Sequence, residues 1–374
     1  MEGRKRAAIG RLAGLVLPLA FLAAPWLAPG PALAEDPALV ETPATLVFST
    51  DVLNGTMARL AARDPVLTPA LRALIRDADA AMAAPAESVV LKPGPPPGGD
   101  LHDYWSLDPA FADTTDPCAD TYDRLRMRRM ADHALTLALA WRLTGETDYA
   151  GKGTALLWAW CCDSLTRARP NLDHGRTRPE GGQGSPTGII ETRDMIAAAE
   201  AACMLATSPA WSAAVDRAVR GWFTEYLHWL RHSEPGRLAA ADRGSLGLWH
   251  TAQVAAFARF TGDDDLARAT AESLRQRMAA QPRTGTELRA MLILAAVAEG
   301  AGVDLWHATG LRGGLDALAA GPRDTAPADA DCADRLRPPD DTPLFHRAAL
   351  VYKEPAYCDL AGPTADHARA RLAH

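Results

Sequence analysis

From Thr68 onward, apolar residues return at intervals of three and four, the period of an amphipathic helix. The run "DRLRMRRMADHALTLALAWRLTG" places Leu125, Met130, His133, Leu135, Leu137, Leu139 and Leu143 mostly at helical spacings and stops at Gly145. "TDYAGKGTALLWAW" reads as the returning helix, and "VAAFARFTGDDDLARATAESLRQRM" repeats the device around Thr261. The chain is therefore expected to consist of helix hairpins joined by Thr-Gly turns, with Asp148 and Asp265 near the next helix starts. Further helices are predicted over 69–83, 189–206, 211–231, 286–301 and, in broken form, 343–372. Strand-like alternation is scarce.

Two stretches break this rhythm. "LKPGPPPGGD" is a stiff extended linker that cannot be helical. "RPNLDHGRTRPEGGQGSPTG" is a long polar excursion between helices, of a length that inside a compact domain points to function or disorder. Helix pairs with their loops gathered at one end fit an all-α fold, an α/α-barrel or incomplete α/α-toroid, with a groove across its mouth.

The first residues read as an export signal. Arg4, Lys5, Arg6 and Arg11 precede an apolar run over 12–27, and small residues at Ala32 and Ala34 suit cleavage after Ala34. Residues 1–34 are thus assigned as a signal peptide and 35–90 as an N-terminal segment with one helix. The main helical domain follows over 91–320, then a tail over 321–374 with a broken helix. The expected location is across the inner membrane in the periplasm, with no stable membrane insertion once the signal is removed. Its loss takes the formal charge from −7 to −10, since it carries four basic residues and one acid. A net negative chain disfavours nucleic acid as a partner, because phosphate binding needs a basic surface. Six cysteines permit disulfides in an exported protein. A Cys332–Cys358 bridge is expected to tie down the tail, and Cys161–Cys162 reads as buried thiols or half of a bridge to Cys118. No Cys-x-x-Cys or His/Cys metal spacing occurs, so neither a metal nor a cofactor is expected.

Three segments gather aromatic and polar groups, the composition of a sugar site. They are "LHDYWSLDP" with His102, Tyr104 and Trp105; "RPNLDHGRTRPEGGQGSPTGIIETRD" with Asn171, His174 and Arg193; and "ADRGSLGLWHTAQ" with Arg243, Trp249, His250 and Gln253. Trp105 reads as an indole for stacking, while Trp222, Trp229 and Trp249 read as core. The basic run Arg124, Arg126, Arg128 and Arg129 reads as a solvated helix face with Arg124 and Arg128 on one side. For Arg193 the ordinary reading is a local ion pair with Glu191.

"HDYWS", "RPNLDHG" with "TGIIETRD", "WFTEYLHWLRHSEPGRLAA", the 249–253 segment and "GVDLWH" together resemble the alginate lyase domain family, in colinear order over about 91–307. The resemblance implies an α/α-toroid and β-elimination on a uronate polysaccharide. In that reaction a proton leaves the carbon beside a carboxylate that must first be neutralised, and a His or Tyr carries the proton. The family's two adjacent asparagines and histidine fall on Gly244, Ser245 and Leu246, and the 286–301 helix carries no tyrosine. Two readings follow. In one, His250 acts as base, with His102, Tyr104 or His174 supplying the second proton and Arg193 or Arg243 opposing the carboxylate. In the other, the protein holds a polysaccharide without cleaving it, and Trp105, Asn171, His174, Arg193, Arg243, Trp249 and Gln253 contact the sugar.

Overall fold

A computed structural model describes residues 45–111, 119–277, 285–307, 310–320 and 342–361. The signal-peptide assignment, Cys118, Cys332 and the 362–374 part of the tail lie outside these residues, so neither expected disulfide falls within them. Cys161 and Cys162 carry thiols, and burial raises both well above the ordinary cysteine range, Cys162 to about 11.

Two helices occupy the N-terminal segment where one was predicted, α1 (Thr50–Ala61) and α2 (Thr68–Ala83). The first opens on Ser49, whose hydroxyl accepts the Val52 N–H and caps the helix. The body is then built from hairpins. Helix α3 (Arg124–Thr144) ends where Gly145 turns left-handed at φ 76° and donates its N–H to the Trp141 carbonyl. The chain returns as α4 (Thr147–Cys161), with Asp148 in its first turn.

The predicted 189–206 helix is broken into three. A single turn, α5 (Gly188–Glu191), passes through a 3-10 turn over Thr192–Asp194 into α6 (Met195–Leu205). Helices α7 (Ala213–His232) and α8 (Glu234–Ala241) follow. Helix α9 (Ser245–Thr261) ends on Gly262 at φ 88° and turns into α10 (Asp264–Arg277), the second Thr-Gly hairpin the sequence predicts. Helices α11 (Gly285–Gly300), α12 (Leu311–Ala320) and α13 (Thr342–Tyr352) complete the described helices, and none is long and apolar enough to cross a membrane.

Burial sorts these helices into two layers. Every residue of α6 except Ala197 is buried, and α9 and α11 are covered almost all round. With α3 they form an inner layer, in which α3 packs on α6 and α9 packs on both α6 and α11. Alanines dominate α6 and let backbones approach closely. Helices α2, α4, α7 and α10 pack outside. On α7 the buried set Val219, Phe223, Tyr226, Leu227 and Leu230 follows the three-four spacing of a single apolar stripe. Its rings lock onto α9, with Phe223 centred 5.1 Å from Phe257 and 5.0 Å from Phe260.

At the loop end, β1 (Trp105–Leu107) pairs in parallel with β2 (His174–Thr177), placing Trp105 opposite His174. The long polar excursion is thus an ordered structure. Gly184 is required there, because a Cβ would lie 2.2 Å from the Leu172 carbonyl oxygen. The Pro/Gly linker is non-helical over 92–100, as expected, and is pinned by a fully buried lysine. Lys92 Nζ donates to the carbonyls of Val89, Leu101 and Asp103 at 2.7–2.8 Å and sits 2.9 Å from Asp123.

Candidate functional site

The inner helices are joined alternately to outer ones, so they run the same way and their first turns meet at one end. Arg124 at the start of α3 pairs with Asp194 at the start of α6 at 2.8 Å. The guanidiniums of Arg193, beside α6, and Arg289, in the first turns of α11, each lie 5.6 Å from the Trp249 ring centroid near the start of α9. A Cβ at Gly244, the residue before α9, would lie 3.9 Å from Glu287 Oε1 of α11. Each helix start carries roughly half a positive charge. Four of them gather here with Arg124, Arg128, Arg193 and Arg289, interleaved with Asp132, Asp194 and Glu287.

Asp194 registers this field. Burial by itself would raise its carboxyl, but the guanidiniums of Arg124, then Arg193, Arg128 and Arg289, outweigh it and hold the group down at about 2. Behind the mouth lies a cavity of about 160 Å³ lined by Arg128, Asp194, Arg193 and Arg289, and farther in by Ile293 and Glu200. Glu200 follows Asp194 by six residues, about 9 Å along α6. It accepts the N–H groups of Leu46 and Val47 at 2.8 and 2.6 Å, and burial raises it to about 7. Ligand pockets for drug-sized molecules run from about 300 Å³. This cavity therefore suits one charged group or ring of a longer ligand, the rest of which would lie across the mouth.

The loop strands form the rim. Tyr104 donates to Glu191 at 3.0 Å, and Arg176 Nε donates to the other oxygen of Glu191 at 2.9 Å. Burial first, then the Glu191 charge, pushes the Tyr104 phenol well above its usual value. Beneath the rim, Tyr226 donates to Thr192 at 2.6 Å, Thr192 to Gln253 at 3.0 Å, and Gln253 to the Ile189 carbonyl at 2.8 Å. This chain of bonds fixes the 3-10 turn that presents Arg193. The Trp249 Nε1–H is buried among these groups and has no acceptor among the described residues.

The structure gathers some sequence-predicted site residues and scatters others. Arg193 and Trp249 stand at the arginine-lined end, with Gln253 supporting them from below. Arg193 donates to the Ile190 carbonyl at 2.9 Å rather than pairing with Glu191, which is taken by Tyr104 and Arg176. Trp105 lies in a strand rather than a loop and is only 7% exposed. Its Nε1–H bonds Thr177 and its ring meets Tyr122 edge-on, so its faces are covered instead of open for stacking. His250 is buried, and its Nε2–H is given to the Leu230 carbonyl at 2.9 Å.

His174 is half-buried beside Asp103, with Nε2 3.9 Å from the carboxylate. His102 gives its Nδ1–H to the Arg167 carbonyl, and Asn171 Oδ1 accepts the Asp173 N–H in a local turn, so both belong to the outer side of the loop. Arg243 is exposed between α8 and α9.

The expectation of a solvated basic face on α3 fails. Arg124 is 1% exposed, Arg126 is buried and Arg128 lines the cavity. The shared side of Arg124 and Arg128 was the available signal, but only the neighbouring Asp194 says which way that side points. Asp194 closes the "TGIIETRD" motif and Arg289 follows Glu287 and Leu288, but the sequence pattern singles out neither as a site residue, because only packing brings α6 and α11 to the same end. Trp229, read as core, is half-buried instead. Its Nε1–H bonds Asp173 at 2.9 Å and its ring stacks on Tyr226 at 12°, which makes it the better-placed aromatic on the rim.

In "GSLGLWH", Gly247 has a strict packing reason. A Cβ there would lie 2.0 Å from the Asp242 carbonyl oxygen, so the close join of α8 to α9 excludes any side chain.

Comparison with known proteins bears on this geometry. A family model described as Alginate lyase matches residues 89–285. Among solved structures, an alginate lyase from Bacteroides ovatus superposes with a TM-score of 0.75 at 22% identity, over 88% of this chain and 98% of that one. Alginate lyase A1-III from Sphingomonas species A1 gives a TM-score of 0.55 at 18% identity, over 90% of this chain and 97% of that one. A complex of alginate lyase A1-III with a tetrasaccharide gives 0.55 at 17% identity, over 90% and 97%. These likenesses support the toroid fold. No curated protein sequence matches the chain.

Proposed function

Because this chain belongs to the alginate lyase family, we propose that it is an exported, periplasmic protein that holds a uronate-bearing polysaccharide at the arginine-lined end of the toroid without cleaving it. The observation that carries the reading is the convergence of Arg124, Arg128, Arg193 and Arg289 on a single carboxylate, Asp194. Asp132 and Glu200 also line the cavity and Glu287 opens α11, so the reading rests on the gathering of guanidiniums at a buried mouth, where opposing a sugar carboxylate is worth most, and not on a net excess of charge. Arg193 and Arg289 also border the buried Trp249 ring, which packs both guanidiniums at this end.

The same site is poorly equipped to move protons. Elimination needs a base and an acid within hydrogen-bond reach of the reacting carbon and the leaving oxygen. Gly244, Ser245 and Leu246 stand where the resemblance places asparagine, asparagine and histidine. His250 spends its Nε2–H on Leu230, and burial beside Glu191 makes Tyr104 harder to ionise. Arginines that neutralise a carboxylate without a nearby base favour binding over turnover.

The test is incubation of the mature chain with polymannuronate and polyguluronate, read both by calorimetry and by ultraviolet absorbance of the unsaturated product. The expected outcome is saturable binding with no absorbance rise, weakened roughly 10- to 100-fold in Arg289→Gln through loss of a charged contact. An enzyme-dependent absorbance rise that His250→Ala abolishes establishes the lyase reading in its place.

A further inference from the structure

The outer wall carries a second concavity, of about 620 Å³, between α4, α7 and the 167–171 segment. Its volume lies within the range of small-ligand pockets, and its residues are distinct from those of the mouth. We infer that it is a second binding site for an anionic sugar, taking a uronate unit of the polymer on the outside of the toroid. The inference rests on the reading that the protein binds such a polymer.

Charge comes first. Arg167 and Arg217 line the hollow, and Glu225 is its one acidic lining residue. Arg169 also borders it but is held by Asp100 and Asp103. Among the described residues no carboxylate pairs with Arg167, which is exposed. Trp158 is 38% exposed and lines the edge, so part of its indole is open to the hollow. A flat indole beside guanidiniums and one carboxylate matches a ring with an apolar face, a carboxylate and hydroxyls. The Asn171 amide nitrogen adds a donor, its oxygen being already used by the Asp173 N–H.

One lining position carries no side chain. Gly221 stands in the middle of α7, where glycine costs roughly 0.5–1 kcal/mol relative to alanine. At Gly236 and Gly247 a Cβ would strike a carbonyl oxygen at 2.0 Å, which explains those glycines. At Gly221 a Cβ would meet nothing within 4 Å. Gly55 in α1 and Gly151 in α4 are equally open, so what counts at Gly221 is its place in the lining, where the missing side chain leaves that stretch of the concavity unfilled.

The segment opposite is pre-shaped. The Arg169 N–H bonds the His102 carbonyl at 2.9 Å, His102 Nδ1–H bonds the Arg167 carbonyl at 2.7 Å, and Trp222 Nε1–H bonds the Ala168 carbonyl at 2.7 Å. Little loop entropy remains to be lost when a ligand settles there.

The test is calorimetric titration of the full chain with tetramannuronate and, as a neutral control, cellotetraose. Wild type should show two saturable events with tetramannuronate. Gly221→Leu, which faces open space and should fold, fills the hollow and should remove one event. Trp158→Ala with Arg167→Ala should weaken the same event at least 10-fold, while Arg289→Gln should affect only the other. A single event insensitive to Gly221→Leu overturns the inference and leaves the mouth reading standing. A single event lost in Gly221→Leu but unchanged in Arg289→Gln upholds this site and removes the mouth. Equal binding of cellotetraose, or no saturable heat at all, also overturns it.

Discussion

Replacing Lys92 with methionine tests how the rim is held. Lys92 is fully buried, donates to three carbonyls at 2.7–2.8 Å and faces Asp123 at 2.9 Å. Burial works against both charges, lowering the Lys92 ammonium and raising the Asp123 carboxyl to about 6. Such a pair adds little net stability over an apolar equivalent, yet removing one partner strands the other, at a cost of about 3–5 kcal/mol. Here three carbonyls also lose their donor, while Asp123 keeps the Trp105 N–H at 3.0 Å and the Arg126 guanidinium at 3.8 Å. Lys92→Met is therefore expected within that range, the lost donor to three carbonyls adding to the cost and Arg126 offsetting part of it. For a chain of this length, with an unfolding entropy of about 2.1 cal/mol/K per residue, each kcal/mol shifts the melting temperature by roughly 1–1.5 °C, so the fall should be on the order of 5 °C. Thermal melts followed by circular dichroism at pH 7 measure it. In an Asp123→Asn background the same substitution should cost markedly less, since no charge is then stranded, and the double-mutant cycle isolates this coupling. A fall under about 2 °C for Lys92→Met, or strict additivity with Asp123→Asn, would refute the reasoning.

Other outcomes follow from single residues. Asp194 has its folded value lowered to about 2 from 3.8, so its contribution is complete above about 4 and is lost as pH falls toward 2. Asp194→Asn should flatten that acid limb of a melting-temperature profile, and an unchanged limb counts against the arginine cluster. Glu200 runs the other way. Raised from 4.5 to about 7, it favours the folded state below about 4.5 and loses that advantage as pH rises through 7. Glu200→Gln keeps an acceptor for the Leu46 and Val47 N–H groups and should remove the decline between pH 5 and 8. Gly247→Ala forces a Cβ onto the Asp242 carbonyl and should destabilise by about 1–3 kcal/mol or more, a clear melting shift. A neutral result there would mean that α8 and α9 join differently.

Sequence pattern was enough for the helices and their turns, because each depends on residues within a few positions of one another. Gly145 and Gly262 end α3 and α9 where the Thr-Gly signals put them. The break of the 189–206 helix at Thr192 was not legible, since hydrogen bonds from Tyr226 and to Gln253, far along the chain, help hold the 3-10 turn. Trp105 and Trp229 exchanged roles for a similar reason. One is covered by Tyr122 and Thr177, while the other projects beside Asp173, and no local spacing encodes which neighbours arrive.

The sequence by itself determined a chain of helix hairpins and its likeness to the alginate lyase family. Only the tertiary structure decided that arginines from α3, from the turn before α6 and from α11 surround Asp194, and that a glycine of α7 leaves open a hollow on the outer wall. Helical periodicity sets which side of each helix is buried, but not the rotation and order in which helices meet. Long-range charge clusters exist only after that packing is made.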